Sequence, residues 1–275
     1  MNDERQEMLV EQRAIPLEGS CNCRDLGGLE TRDGRRVRSG MILRSDELSR
    51  LSDADLQVLH AIPLQTIVDL RIAGEIDRRP DRKPDSVRRM IRLSLDTPRW
   101  LTSIAEAEDK TTLGKIDDRA GSMLGKTDAR ISALPEERIR AAVMQLYERL
   151  VAEKDCIEAY KEIFALLLQQ REESLLFHCA AGKDRTGIVA ALILAALDVD
   201  EAVILEDYLI SNVVAEKKYA MQIELVPSSR YLYEARPEYL QAAWKRIRRD
   251  HGTVETYLRH ALKVDMDGMK ERFLR

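Results

Sequence analysis

The sequence predicts an α/β domain with a mainly parallel central sheet flanked by helices. Short apolar runs, LQTIVDL at 64–70 and SLLFH at 174–178, alternate with stretches of helical periodicity. That alternation is the pattern of strands joined by crossover helices. The 275 residues, 44% of them hydrophobic and 33% charged, suffice for one such domain with an insertion. A polar, glycine-containing turn, CAAGKDRTG, separates the second run from the apolar segment Ile188–Leu197. That is where α/β sheets place their ligands.

Each element can be justified in order. Residues 1–14 form a polar N-terminal segment and 15–275 the domain. MNDERQEMLVEQR lacks the charged and apolar regions of a signal peptide, so the chain is expected to be cytoplasmic, with signal-independent export left open. Gly-Gly and Asp-Gly turns separate short strand-like pieces such as MILRS in CNCRDLGGLETRDGRRVRSGMILRSDEL. Ser52 is placed to cap a helix over SDADLQVLHA. LQTIVDL reads as a buried strand, and Val87–Leu95 as a second candidate despite its arginines. From Asp96 to about Pro135 the pattern weakens, and 96–135 reads as a mobile or loosely helical insertion. Helical spacing resumes over Glu136–Gln170 with a break near Lys154–Asp155. After SLLFH come helices over Thr186–Leu197 and Asp200–Asn212. Residues 213–245 scatter Tyr219, Met221, Tyr231, Tyr233 and Tyr239 among charges, broken by Pro227 and Pro237, and read as a helical lid. GTVETYLRHALKV is amphipathic and should pack back on the domain.

Charge and cysteine usage narrow the function. A net charge of −4 gives no general attraction for nucleic acid or an anionic membrane, so any affinity for an anion has to be local. Ile188–Leu197, the longest apolar run, is too short to span a bilayer. The basic stretch 78–92 is interspersed with Asp77, Asp81 and Asp85 and reads as a solvated face. Cys21, Cys23, Cys156 and Cys179 read as reduced thiols. Cys21 and Cys23 have no second ligand pair at metal-binding spacing, so no metal and no other cofactor is expected. A regulatory disulfide between Cys179 and Cys21, Cys23 or Cys156 stays open.

The chemistry concentrates in HCAAGKDRTG at 178–187. A nucleotide-binding loop would need glycine five residues before Gly182 and Ser or Thr after Lys183; the chain has Phe177 and Asp184 there. What remains is a cysteine, five residues and an arginine. The amides of Ala180, Ala181, Gly182, Lys183 and Thr186, leading into a helix N-terminus, can surround a tetrahedral phosphate. The same amides and Arg185 would stabilise a Cys179 thiolate beneath the phosphorus. Arg185 offers a bidentate fork to two phosphate oxygens. Gly182 permits the tight turn, and Thr186 is placed to cap the helix. A buried structural cysteine is the alternative, but chance gives His-Cys-x-x-Gly-x-x-basic only about 4 times in 10,000 for this composition.

The loop resembles H-C-x-x-G-x-x-R-[ST]-G, the signature of cysteine-dependent protein tyrosine phosphatases. NCRDLGG at 22–28 further resembles the N-F-R-D-L-G-G motif of a bacterial group of tyrosine and dual-specificity phosphatases that also act on phosphoinositides. LRSDEL, IVDLR, EDYLISN and GTVETYLRHAL extend the similarity over about residues 19–265. Cys23 departs from it, standing where the family usually has an aromatic residue. The resemblance implies a three-layer tyrosine phosphatase fold with a helical lid, a phosphocysteine intermediate, and phosphorylated protein or phosphoinositide substrates. It places the general acid within the loop at Asp184, because the Trp-Pro-Asp loop of the familiar enzymes is absent: Trp100 and Trp244 precede Leu and Lys. A salt bridge to a neighbouring basic side chain is the other reading of Asp184. Asp96 is the second candidate acid, or a turn cap. Lys183 adds charge for phosphate or inositol phosphate. His178 is expected to orient the loop, and Arg24, Asp25, Asp69 and Arg71 to form a buried ion-pair network behind it. A non-catalytic phosphate-binding module is the remaining alternative.

Overall fold

The computed structural model describes residues 12–96, 100 and 126–275. Its centre is a five-stranded sheet in the order β1-β2-β5-β3-β4, formed by Arg24–Asp25, Ile42–Ser45, Leu64–Asp69, Arg89–Arg92 and Ser174–His178 numbered in chain order. Only β1 runs antiparallel; β2, β3 and β4 are parallel to their neighbours, and β5 lies between β2 and β3. The expected α/β class and mainly parallel sheet are therefore present.

Alternation along β5 shows how the layers form. Leu175 and Phe177 join the main core with Val68 and Ile42, whereas Leu176 turns to the other face with Leu43 and Ile67. The second face is covered by α1 (Asp53–His60), through Leu59, and by Leu48 and Leu51. Ser52 caps α1 as expected, its hydroxyl accepting from Asp55 N while Asp55 reaches back to Ser52 N. The main core lies under α4 (Glu136–Leu150), α5 (Lys154–Gln169) and α6 (Asp184–Ala196). Between β3 and β4 lies α2 (Ala73–Arg78), and before α4 lies α3 (Lys126–Ser132). After α6 come α7 (Glu201–Leu209), α8 (Asn212–Lys218), α9 (Ala220–Leu225), α10 (Arg230–Tyr233), α11 (Pro237–His251) and α12 (Met266–Phe273). No helix among the described residues is long and apolar enough to cross a membrane.

Several boundaries differ from expectation. The strand expected over 87–95 is confined to Arg89–Arg92; it is an edge strand with Met90 exposed, although Arg88 N and Leu93 N also donate to Gln65 O and Asp69 O of β3. The expected insertion at 96–135 falls mostly outside the described residues, though 126–132 is helical. The domain reaches back past residue 15, because Arg13 is buried and pairs with Asp207 at 2.8 Å. The expected lid at 213–245 divides in two. Residues 212–233 form short helices with a small cluster of their own around Ala215 and Tyr233. Residues 237–251 instead belong to the main core: Leu240, Ala243, Trp244 and Ile247 recur at helical spacing and are buried there.

Candidate active site

The loop 179–183 begins where β5 ends, with Cys179 buried at 2% exposure. Three of its carbonyls, those of Ala180, Ala181 and Gly182, are bonded outward. Ala180 O accepts from Glu47 N and from Lys218 Nζ, each at 3.3 Å. Asn22 Nδ2 donates to Ala181 O at 3.0 Å and to Gly182 O at 3.1 Å, and Arg44 Nη2 donates to Gly182 O at 2.8 Å. In a trans peptide the N–H of the next residue points opposite to the carbonyl. Fixing these oxygens outward therefore turns the amides of Ala181, Gly182 and Lys183 toward the concave side of the loop. Gly182 has φ +67°, and a Cβ there would lie 2.6 Å from Ser45 O and 2.7 Å from Asn22 Nδ2. Only glycine fits this turn.

The loop feeds into α6 two residues earlier than expected. The helix starts at Asp184, so Thr186 lies in its first turn and is not its cap; the Thr186 hydroxyl is buried with no hydrogen-bond partner. Arg185 is also in this turn and buried. Glu75 of α2 takes the end of its guanidinium, Oε2 accepting from Nη1 at 2.6 Å and Oε1 from Nη2 at 2.8 Å. Leu70 O and Leu95 O accept from Nη1 at 3.3 and 3.5 Å. Burial raises the Glu75 pKa, but Arg185 outweighs it and holds Glu75 below its ordinary range. Burial works against the Arg185 charge, yet the hydrogen bonds to Glu75, the Cys179 sulfur and the two carboxylates raise its pKa. Asp96 directly follows Leu95, so it stands one residue from the Arg185 guanidinium.

Lys183 and Asp184 are paired. Lys183 Nζ donates to Asp184 Oδ1 at 2.7 Å and to Glu234 O at 3.3 Å. The salt bridge read as the alternative role of Asp184 is thus formed, and the ammonium of Lys183 is turned toward this carboxylate.

Behind the loop lie two separate charge networks. In the first, Arg71 donates to Asp69 at 2.8 Å and contacts Asp81 Oδ2 at 2.6 Å, and His178 Nε2 lies 3.1 Å from Asp81 Oδ2. His178 Nδ1 is 3.3 Å from Cys179 O. Burial lowers the His178 pKa, but the hydrogen bond and charge of Asp81, with Asp69, outweigh it and raise the pKa overall. Asp69, Asp81 and His178 cluster closely enough to suggest a metal, yet the Arg71 guanidinium already supplies the positive charge between the two carboxylates. In the second network, Asp207 of α7 receives Arg13 at 2.8 Å, Arg24 at 3.1 Å and Arg44 at 2.7 Å. Burial opposes ionisation of Asp207, but the three guanidinium groups push its pKa far below the carboxylate range. Arg24 also donates to Asn22 Oδ1, which sets the amide that grips the loop.

Asp25 belongs to neither network. Its carboxylate accepts from Gly27 N at 2.8 Å and Gly40 N at 2.6 Å, so it organises turns, because its side chain faces those amides and not Arg24. The other cysteines are free thiols. Burial pushes Cys23 and Cys156 up to about 12; burial, with Asp46 nearby, pushes Cys21 up to about 11. These thiols stay protonated and unreactive near neutrality.

Sequence reasoning missed Glu75, Asp81, Arg44, Asp207, Lys218, and the tyrosines Tyr147 and Tyr208 described below. None lies near the loop in sequence. The spacing Asp69-Arg71-Glu75 after the β3 apolar run was the one local signal for Glu75.

Comparison with known proteins agrees with this geometry. The family described as "Tyrosine phosphatase family" matches residues 15–274. A protein of Cupriavidus necator named "Putative tyrosine-protein phosphatase" is 33% identical over 92% of this chain and 85% of its own length. "Triple specificity protein phosphatase PtpB" of Mycobacterium tuberculosis is 31% identical over 89% of this chain and 92% of its own. "Tyrosine-protein phosphatase" of Nostoc commune is 29% identical over 64% of this chain and 49% of its own. With a cysteine and an arginine framing an amide cradle in a mainly parallel sheet, and with this match over nearly the whole sequence, the chain belongs to the tyrosine phosphatase family of phosphoric monoester hydrolases.

Proposed function

We propose that the protein hydrolyses phosphotyrosine in proteins, with room for other phosphorylated side chains, through a Cys179 phosphocysteine. The observation that carries this reading is the placement of Cys179 at the base of a loop whose carbonyls are bonded outward, beside an Arg185 fork held by Glu75. The Cys179 thiolate attacks phosphorus; the S–P bond forms, the P–O bond to the leaving group breaks, and Asp184 gives its proton to the departing oxygen. Water then attacks phosphorus, the S–P bond breaks, and the water proton passes to the Asp184 carboxylate. The inward amides and Arg185 act most strongly on the oxygens as charge gathers on them in the transition state.

The test is a panel of phosphotyrosine, phosphoserine and phosphothreonine peptides beside phosphoinositides, run with Cys179→Ser. Hydrolysis led by phosphotyrosine peptide, absent from Cys179→Ser although that variant still binds phosphate, is the expected result. Turnover by Cys179→Ser would overturn the mechanism. A lead by phosphoinositides would overturn the substrate class.

A further inference from the structure

Asp184 stands at the end of a chain of buried phenols. Tyr147 Oη donates to Asp184 Oδ1 at 2.7 Å, and the hydroxyls of Tyr147 and Tyr208 lie 2.6 Å apart. A phenol has a single proton to donate. The Tyr147 proton is committed to the carboxylate, so the proton between the two phenols comes from Tyr208. The chain therefore runs from Tyr208 to Tyr147 to Asp184 Oδ1. Burial, reinforced by the negative charge of Asp184, pushes both phenols well above their ordinary range. They remain donors throughout the pH range in which a cysteine phosphatase works.

The chain is also fixed in place. Tyr147, from α4, is fully buried, and Tyr208, from α7, is 1% exposed. Their rings meet edge-to-face, 6.1 Å apart at 79°, and Tyr239 of α11 closes on Tyr147 from 5.7 Å. Gly187 lets the Tyr208 ring approach α6; a Cβ there would lie 3.0 and 3.1 Å from two ring carbons. Three helices thus converge to hold one hydroxyl against one carboxyl oxygen.

The consequence is an asymmetric carboxyl group. Asp184 Oδ1 accepts from both Tyr147 Oη and Lys183 Nζ, each at 2.7 Å, whereas Oδ2 has no hydrogen bond among the described residues. Two donors fix the rotation of the carboxyl and keep Oδ1 an acceptor, so a proton on Asp184 resides on Oδ2. We infer that Tyr147, backed by Tyr208, is a positioning residue that locks the Asp184 carboxyl with Oδ2 presented to the leaving oxygen. In the first step that Oδ2 proton moves to the leaving oxygen as P–O breaks and S–P forms. In the second, Oδ2 regains a proton from the attacking water as S–P breaks. Tyr147 and Tyr208 keep their own protons throughout. This deepens the proposed function and rests on its assignment of Asp184 as the acid.

Leaving groups of different basicity separate positioning of an acid from a structural role. 2,4-Dinitrophenolate departs without a proton, whereas phenolate needs one. General acid catalysis is worth about 10²- to 10⁴-fold, so Asp184→Asn should lower kcat/KM, which reports only the step in which the leaving group departs, by at least about 10²-fold for phenyl phosphate and spare it for 2,4-dinitrophenyl phosphate. Tyr147→Phe keeps the ring and removes the hydroxyl. It should lower kcat/KM for phenyl phosphate by about ten-fold and for 2,4-dinitrophenyl phosphate by less than about two-fold. Tyr208→Phe, which leaves the Tyr147 hydroxyl in place, should show the same selectivity at smaller size. It carries the test alone if Tyr147→Phe does not fold. Equal losses on both substrates, or no loss, in the tyrosine variants beside a selective loss in Asp184→Asn would overturn the positioning role alone. Equal losses in Asp184→Asn would overturn the acid assignment and this inference with it.

Discussion

Glu75 holds Arg185 by the end of its guanidinium, through two bonds of 2.6 and 2.8 Å that join residues 110 apart in sequence. Taking Nη1 and Nη2 from the end leaves Nε and the adjoining edge of Nη2 for a phosphate. On the proposed function, the carboxylate thereby sets which edge of the fork faces a phosphate. Glu75→Gln replaces one of the two accepting oxygens with an NH2 that donates, so the two-bond grip is lost and the guanidinium can turn. Because misplacing a positioned group by an ångström can cost about 10²-fold, kcat/KM should drop by roughly that factor, with weaker phosphate inhibition. Steady-state kinetics on an aryl phosphate check this; an unchanged kcat/KM contradicts it.

Two carboxylates compete for the role of acid. Asp184 lies within the loop and is bonded by Lys183 and Tyr147, while Asp96 follows the carbonyl that touches Arg185. Asp184→Asn should lower kcat/KM for phenyl phosphate by at least about 10²-fold, and Asp96→Asn by less than about ten-fold. A larger loss in Asp96→Asn would reverse the assignment.

Lys218 fastens the helices of 212–233 to the phosphate loop, reaching Glu47 Oε1 at 2.9 Å and Ala180 O at 3.3 Å. Those helices carry their own small cluster, so this ion pair is a main tie to the site. Lys218→Ala should open the cover and expose Cys179 to oxidation. An exchanged ion pair of this kind is worth up to about 1 kcal/mol, so inactivation by peroxide should run about two- to five-fold faster. Timed inactivation assays measure it, and equal rates count against a protective cover.

His178 makes stability depend on pH. Its pKa is raised from 6.5, chiefly by Asp81 acting against burial. The resulting stabilisation is complete below 6.5, the unfolded value, and is lost as pH rises through the folded value above it. Urea unfolding over about pH 6 to 9 should show wild type losing stability as pH rises, and Asp81→Asn losing less across the same range. Parallel curves would remove Asp81 as the cause.

How much was legible follows from where the partners lie. The loop is ten consecutive residues, so its nucleophile, fork, glycine and acid candidate could all be read together. The strand Ser174–His178 and the helix capped by Ser52 were equally local. Glu75, Asp207, Tyr147 and Tyr208 reach the loop only through sheet order and helix packing, which no spacing along the chain encodes. Thr186 misled because a hydroxyl near a helix start usually caps it, whereas this helix begins on backbone already committed to the loop. The core role of 237–251 was written in the spacing of Leu240, Ala243, Trp244 and Ile247, but the scattered tyrosines before Pro237 obscured it. Asp81 was counted with a solvated charge run, yet it turns inward to Arg71 and His178.

The strand order has a consequence for how the protein comes into being. β5 enters between β2 and β3, so these two strands, made earlier, share no pairing until residues 174–178 arrive to bridge them. A ribosome that has released Glu75, Asn22 and Arg44 has made the gripping residues of a site whose loop does not yet exist. Cys179 is then delivered together with the strand that closes the sheet. Nascent chains that stop short of this point carry neither a closed sheet nor Cys179, and both arrive in a single late event of synthesis.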